Sequence, residues 1–509
     1  MDEQFEFSPS PCWTCRRKRL KCDGRLPTCF KCKTHGRECL GYSANKPLVW
    51  TGPASRGKMA TLNFKKREAE PADRRQQSTS LVPLVAKTLT DPIFQDLSPR
   101  SKQYLSYYVH RCCMECTLYE PASPNGFRQF LVMIPDNPAL AHSILAISAI
   151  HQAQEIKCIS NNNNNNNNNN NLPKAITFNE SSPDYMNVAN DRNNDIRSST
   201  QYTDALVHSS SCITALRNAL DNAPDAFGAL IASVLLLIWV DMLDSGATAW
   251  KHHIDGLRVL VSLQRSARVR NANSRVRATS ILQTWFEETF SILSLFGSTF
   301  SPNLSKLLDI FPPAELVEVL GRTESHSWTG CPADLLSTLR FFSAFSPDNP
   351  QNDLPRIFTQ LQQFHTIEWA KKSPLPESIP TRRSLGEAWK GAIEIYGRRV
   401  VGGIHPEFQE VSSDLVGTTL FHLMQIDYND THFKGTIWPA FVVGAEVQTP
   451  QQRQVILEVF QHLDESLHMS TIHLAVAQLR RIWARGTPYP PGSSWVHDIW
   501  ERGDGLLIV

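Results

Sequence analysis

The sequence predicts three parts: a small metal-stapled module at the N-terminus, a disordered linker, and a large all-α domain. Three observations predict this. Six of the twelve cysteines fall between Cys12 and Cys39. A stretch rich in Pro, Ser, Thr and charge follows them. From about residue 98 onward apolar residues recur at helical spacing, and alternating strand patterns are lacking. At 509 residues the chain is also long enough for more than one domain.

The cysteines come first. After an N-terminus expected to be disordered (residues 1–11), Cys12, Cys15, Cys22, Cys29, Cys32 and Cys39 spell C-x2-C-x6-C twice. A C-x-x-C pair can fill two corners of a tetrahedron around one zinc ion. Six thiolates cannot give two separate ions four ligands each, but they can if two sulfurs bridge both ions. The spacing therefore argues for a two-zinc, six-thiolate cluster. Disulfides would need an oxidising compartment, and no signal peptide precedes the motif. A redox C-x-x-C would need a βαβ setting, which is missing. A segment of about thirty residues cannot bury a stable core, so metal must supply its folding energy. Each half is expected to open a short helix, from Cys12 to about Arg19 and from Cys29 to about His35. Gly36 suits a helix end, and Asp23-Gly24 and Leu26-Pro27 mark the joining loop.

Charge is concentrated in the same place. Residues 11–39 hold nine Lys/Arg against two acids, a formal +7 in a chain whose total is +2. Six thiolates with two Zn2+ bring the module to about +5, the footprint of a phosphate-backbone binder. The run Arg16-Arg17-Lys18-Arg19-Leu20-Lys21 begins on the first expected helix. Lys and Arg donate to guanine N7 and O6 in the major groove.

These residues resemble the fungal zinc-cluster transcription factors. The likeness rests on Cys12-Trp13-Thr14-Cys15-Arg16-Arg17-Lys18-Arg19-Leu20-Lys21-Cys22, then Pro27, Cys29, Cys32 and Cys39. It implies that Cys12 and Cys29 are the bridging ligands, with Cys15 and Cys22 completing one ion and Cys32 and Cys39 the other. It implies a cis bond before Pro27. It also implies that Lys18 and Arg19, three and four places after the second cysteine, approach the bases of a CGG triplet. Arg16, Arg17 and Lys21 are then expected at phosphates, which position without specifying sequence. The module is placed at residues 12–42.

The linker is placed at residues 43–97. Its basic clusters Lys65-Lys66-Arg67 and Arg74-Arg75 suit nuclear import or further phosphate contacts as well as a solvated linker. Prolines interrupt it and no sustained heptads run through it, so a coiled-coil dimer there is unsupported.

The all-helical domain is placed at residues 98–509. Helices are expected over about 101–118, 139–157 and 226–243, and at the apolar periodicities of Val455–Leu463 and Ile472–Trp483. The stretch 226–243 contains Ser233 and ends at Asp241 and Asp244, and it reads as a buried core helix rather than a membrane span. Eleven consecutive asparagines, Asn161–Asn171, mark an insertion expected to be disordered over about 160–202.

This region is similar to the fungal-specific transcription factor domain, in the branch of sterol-uptake and acriflavine-sensitivity regulators. The similarity rests on Asn125-Gly126-Phe127-Arg128, on Trp250 to Gly256, on Gly330-Cys331-Pro332, and on Trp438-Pro439-Ala440-Phe441 with Gly444 and Arg453. Gly126 departs from it, standing where proline is common. The resemblance implies an all-helical regulatory domain.

Other metal or catalytic candidates are weaker. His110, Cys112, Cys113 and Cys116 read as core residues, with a thiol switch as the alternative. His252-His253 is not an i, i+4 zinc pair. No H-E-x-x-H, G-x-S-x-G or phosphate-binding glycine loop occurs. Ions with four thiolates each would have no open position for chemistry. The expected function is zinc-dependent, sequence-specific binding of double-stranded DNA in the nucleus to regulate transcription, without enzymatic activity. Transcriptional co-regulators are candidate partners. A ligand-gated regulator whose helical domain binds a sterol or other small hydrophobic molecule is the alternative.

Overall fold

The computed structural model describes residues 7–42, 97–118, 125–166, 196–222, 227–244, 249–271, 281–324, 327–346, 353–373, 375–486, 493–503 and 505–509. The expected linker thus lies outside the described residues, apart from Leu97. The chain divides between Ala86 and Lys87 into two units, taken one at a time.

Among the described residues of the first unit, the buried side chains are sulfurs: Cys12, Cys15, Cys29 and Cys32, with Cys22, Cys39 and Tyr42 packed around them. Two short helices carry the C-x-x-C pairs, α1 (Trp13–Arg17) and α2 (Phe30–Thr34). Both are shorter than expected. They close because Arg19 and Gly36 take left-handed φ values of 56° and 59°. The Arg19 and Gly36 amides then turn back to the carbonyls of Arg16 (3.3 Å) and Lys33 (3.2 Å). The Leu26–Pro27 bond is cis, as the resemblance implied.

The second unit is built of helices joined by short loops, with no strand among its described residues. α3 (Pro99–Tyr107) starts where expected, with Ser98 accepting from the Ser101 amide and Pro99 in the first turn. Its helix then widens into a π-turn, Tyr108–Cys112, before a last turn at Cys113–Glu115. Among the helices that follow are α4 (Pro138–Asn166), α5 (Thr200–Asn222), α6 (Phe227–Asp244), α7 (Ala249–Asn271), α8 (Ile281–Phe300), α9 (Ile379–Val401), α10 (Ile437–Gly444), α11 (Pro450–Leu467) and α12 (Ser470–Arg485). α4 packs on α5 and α6, and α6 on α7. α9 lies against α10 and against the helices Ala333–Ser343 and Ser413–Met424.

The expected insertion is narrower at both edges. The helix expected over about 139–157 continues as α4 to Asn166. Ile196 is buried and α5 begins at Thr200, before residue 202. Residues 167–195 of the expected insertion lie outside the described residues.

α6 is long and apolar enough to cross a membrane by composition. Its residues Ala229 through Val240 are all buried inside the unit, so it serves as the core helix read from the sequence. α8 is equally buried yet carries Glu287 and Glu288. Arg265 bonds Glu287 at 3.0 Å and Arg322 bonds Glu288 at 2.9 Å, which supplies the partners that buried carboxylates require. Gly126 has a steric cause: a Cβ there would fall 2.4 Å from the Trp285 ring, so the common proline would not fit.

Candidate metal centre and nucleic-acid interface

Cys12 and Cys29 cap the two helix starts. Each sulfur accepts the amide N–H of the next ligand in sequence, Cys15 or Cys32, at 3.3 Å. Both are fully buried. Cys12 Sγ lies 3.6 Å from Cys29 Sγ and 3.9 Å from Cys32 Sγ, and Cys15 Sγ lies 3.7 Å and 3.9 Å from the same two sulfurs. Corners of a zinc–thiolate tetrahedron with bonds of ~2.3 Å stand about 3.8 Å apart, so these separations fit the metal. Cys22 joins Cys29 on one flank. Cys39 faces Cys12 and Cys32 on the other.

The electrostatics also fit. Burial pushes the Cys12 and Cys29 thiols well up, because packed sulfurs have no water to stabilise their charge. For Cys22 burial acts the same way, but the Cys12 and Gly24 amides and the Tyr42 hydroxyl outweigh it and bring the thiol down to about 7. A cationic centre is what would let all six ionise together. The Tyr42 hydroxyl stands between Cys22 Sγ (3.8 Å) and Arg25 O (2.8 Å) and can donate its one proton to either, so this ring supports the flank. The sequence reading did not single it out.

The two halves repeat one backbone pattern seventeen residues apart. Arg16 N and Lys33 N bond to Cys12 O and Cys29 O, and Leu20 N and Arg37 N bond to Cys15 O and Cys32 O. Gly24 and Gly41 both take positive φ, 75° and 72°. The side chains break this symmetry. Where the first half presents Lys18 and Arg19, the second has His35 and Gly36.

Arg16, Arg17, Lys18, Arg19 and Lys21 are all exposed. The Arg16 guanidinium stacks over Trp13 at 5.0 Å. Arg17, Lys18, Arg19 and Lys21 make no ion pair among the described residues. One of the module's two acids is occupied: Asp23 accepts the Phe30 and Lys31 amides at 3.0 and 3.2 Å and so caps α2. The positive surface of α1 is therefore left open.

The weaker candidates are not brought together. Cys112, Cys113 and Cys116 are buried thiols outside any disulfide, and Cys116 Sγ bonds to Cys112 O. His253 lies 3.4 Å from Asp241, a packing contact in the helical unit.

Comparison with known proteins agrees with both units. Residues 10–47 match the fungal Zn(2)-Cys(6) binuclear cluster domain, and residues 103–509 match the fungal specific transcription factor domain. The chain is 21% identical to the acriflavine sensitivity control protein acr-2 of Neurospora crassa, over 98% of this chain and 96% of that protein. It is 23% identical to the phomenoic acid biosynthesis cluster-specific transcriptional regulator of Leptosphaeria maculans, over 54% of this chain and 45% of that one. A 31-residue stretch is 58% identical to white-opaque regulator 2 of Candida albicans, covering 6% and 7% of the two chains. No solved structure matches. The first unit binds two zinc ions as a binuclear cluster, and the chain belongs to the fungal transcription regulators that join this DNA-binding domain to a fungal specific transcription factor domain.

Proposed function

We propose that the protein acts in the nucleus as a regulator that reads CGG-type triplets through α1. Cys12, Cys15, Cys22, Cys29, Cys32 and Cys39 would hold the two ions, with Cys12 and Cys29 shared. Bound zinc supplies folding energy and charge balance to the thiolates rather than a reactive centre. Lys18 and Arg19 are the base-contacting pair, and Arg16, Arg17 and Lys21 meet phosphates.

One observation carries this reading. Arg19 holds a left-handed backbone that costs an L-residue roughly 1–2 kcal/mol, while the twin position is glycine. The strained residue and Lys18 beside it are exposed, cationic and unpaired among the described residues. That is the expected condition of side chains kept for an external partner. Selection of preferred sites from a random duplex pool by the zinc-loaded full chain tests it. Enrichment of CGG supports the reading, and recovery of unrelated sequence overturns it.

A second reading is that the helical unit also binds a small hydrophobic molecule; an apolar-walled cavity of about 30 Å3 lies among the π-turn segment, α4 and α6.

A further inference from the structure

We propose that Trp13 is a positioning residue for DNA binding: its indole face holds the Arg16 guanidinium in place for a phosphate. The inference rests on the phosphate role given to Arg16 above and adds the residue through which that role is exerted.

Trp13 opens α1 and Arg16 stands three places on, so the two side chains share one helix face. The guanidinium carbon lies 5.0 Å from the ring centroid, within cation–π range. The ring is half-buried and the cation is exposed. The backbone beneath the ring is fixed from outside the helix. The Trp13 amide donates to Gly41 O at 3.0 Å. Next to it, Thr14 Oγ1 donates to Glu38 O and accepts from the Leu40 amide, both at 2.9 Å. The start of α1 is thus tied to the segment around and after Cys39, and the ring stands on a held base.

An aromatic face supports an arginine in a particular way. A carboxylate would also order the guanidinium, but it would cancel the charge and occupy the N–H donors. A ring face does neither. Arg16 makes no ion pair and no side-chain hydrogen bond among the described residues, so its charge and its donors stay available for phosphate oxygens. An unstacked arginine gives up rotamer freedom when it meets a phosphate, whereas a stacked one has given up part of it beforehand.

The twin position in the second half lacks this arrangement. Phe30 and Lys33 occupy the places of Trp13 and Arg16, seventeen residues on. Phe30 is exposed, its amide donates to Asp23, and no cation stacks on its ring among the described residues. The backbone repeat therefore does not by itself produce the stack. It is built on the half that carries Lys18 and Arg19.

The test uses the full zinc-loaded chain, titrated onto labelled CGG and permuted duplexes, with bound zinc counted by native mass spectrometry. Trp13→Leu is expected to weaken binding to both duplexes alike, by about two- to fivefold, with two ions still bound. The ratio between the duplexes should not move. Trp13→Tyr keeps an aromatic face and should restore most of the loss. In an Arg16→Ala background Trp13→Leu should cost nothing further, because the group it orders is gone. A support of the fold would behave otherwise: the leucine variant would lose zinc, or would lose the same affinity with and without Arg16. Either result overturns the positioning role and leaves the phosphate reading standing. An Arg16→Ala chain that binds as tightly as the parent overturns the phosphate reading of Arg16, and the positioning role with it.

Discussion

Cys12 and Cys29, seventeen residues apart, bring their sulfurs within 3.6 Å of each other while each caps the start of a helix. This pairing makes the metal centre and the start of α1 one object. The residue that begins α1 is also the residue central to the sulfur core.

The first prediction concerns that sharing. Cys29→Ser removes a sulfur placed between both flanks, so bound zinc should fall from two ions per chain to fewer than one. Cys39→Ser removes a flanking sulfur and should leave between one and two. Native mass spectrometry counts them. Equal losses in the two variants would show that neither sulfur is shared.

Lys18→Ala and Arg17→Ala should separate base reading from backbone binding. The first should cost about 1–3 kcal/mol on a CGG duplex and relax discrimination there. The second should weaken binding to all duplexes about equally and lower the salt slope by about one. Titrations at several salt concentrations, on matched and permuted duplexes, distinguish the two outcomes.

Arg19→Gly should leave the zinc-loaded module no less stable, because glycine accepts the φ of 56° without steric cost. DNA discrimination should nevertheless drop. Loss of stability together with loss of binding would mean that the arginine is held for the fold.

Asp241 gives a pH dependence in the helical unit. Burial, with Asp244 adding repulsion, raises its carboxyl from 3.8 to about 7, although His253 stands 3.4 Å away. The folded chain then binds this proton more tightly than the unfolded chain does. Stability from this group is present below about pH 4 and is lost as pH rises through about 7. Asp241→Asn should therefore melt progressively higher than the parent across that interval. A melting difference that stays flat with pH would contradict the assignment.

Much of this was legible in the sequence, and the reasons are physical. Cysteine spacing reports metal geometry directly, since six sulfurs around two ions leave little freedom. The buried helices announced themselves because α6 is apolar nearly all round and α11 and α12 repeat apolar residues at helical spacing. What stayed hidden depends on distant parts of the chain. The early ends of α1 and α2 come from left-handed residues whose φ composition does not encode, Arg19 above all. The place of Gly126 is set by Trp285, far along the chain. The π-turn at Tyr108–Cys112 keeps a helical residue pattern and so looks like ordinary helix. The indole N–H groups of Trp239 and Trp328, buried without a hydrogen-bond partner among the described residues, could not be foreseen, because an unmade hydrogen bond has no sequence mark.

The account is tested most directly by the affinity of the full chain for a CGG duplex and for a permuted one, before and after removal of zinc by a chelator. It predicts at least tenfold preference for CGG with two ions bound, and no binding of either duplex once zinc is gone. Equal affinity for the two duplexes, or a preference that survives complete loss of zinc, would contradict it.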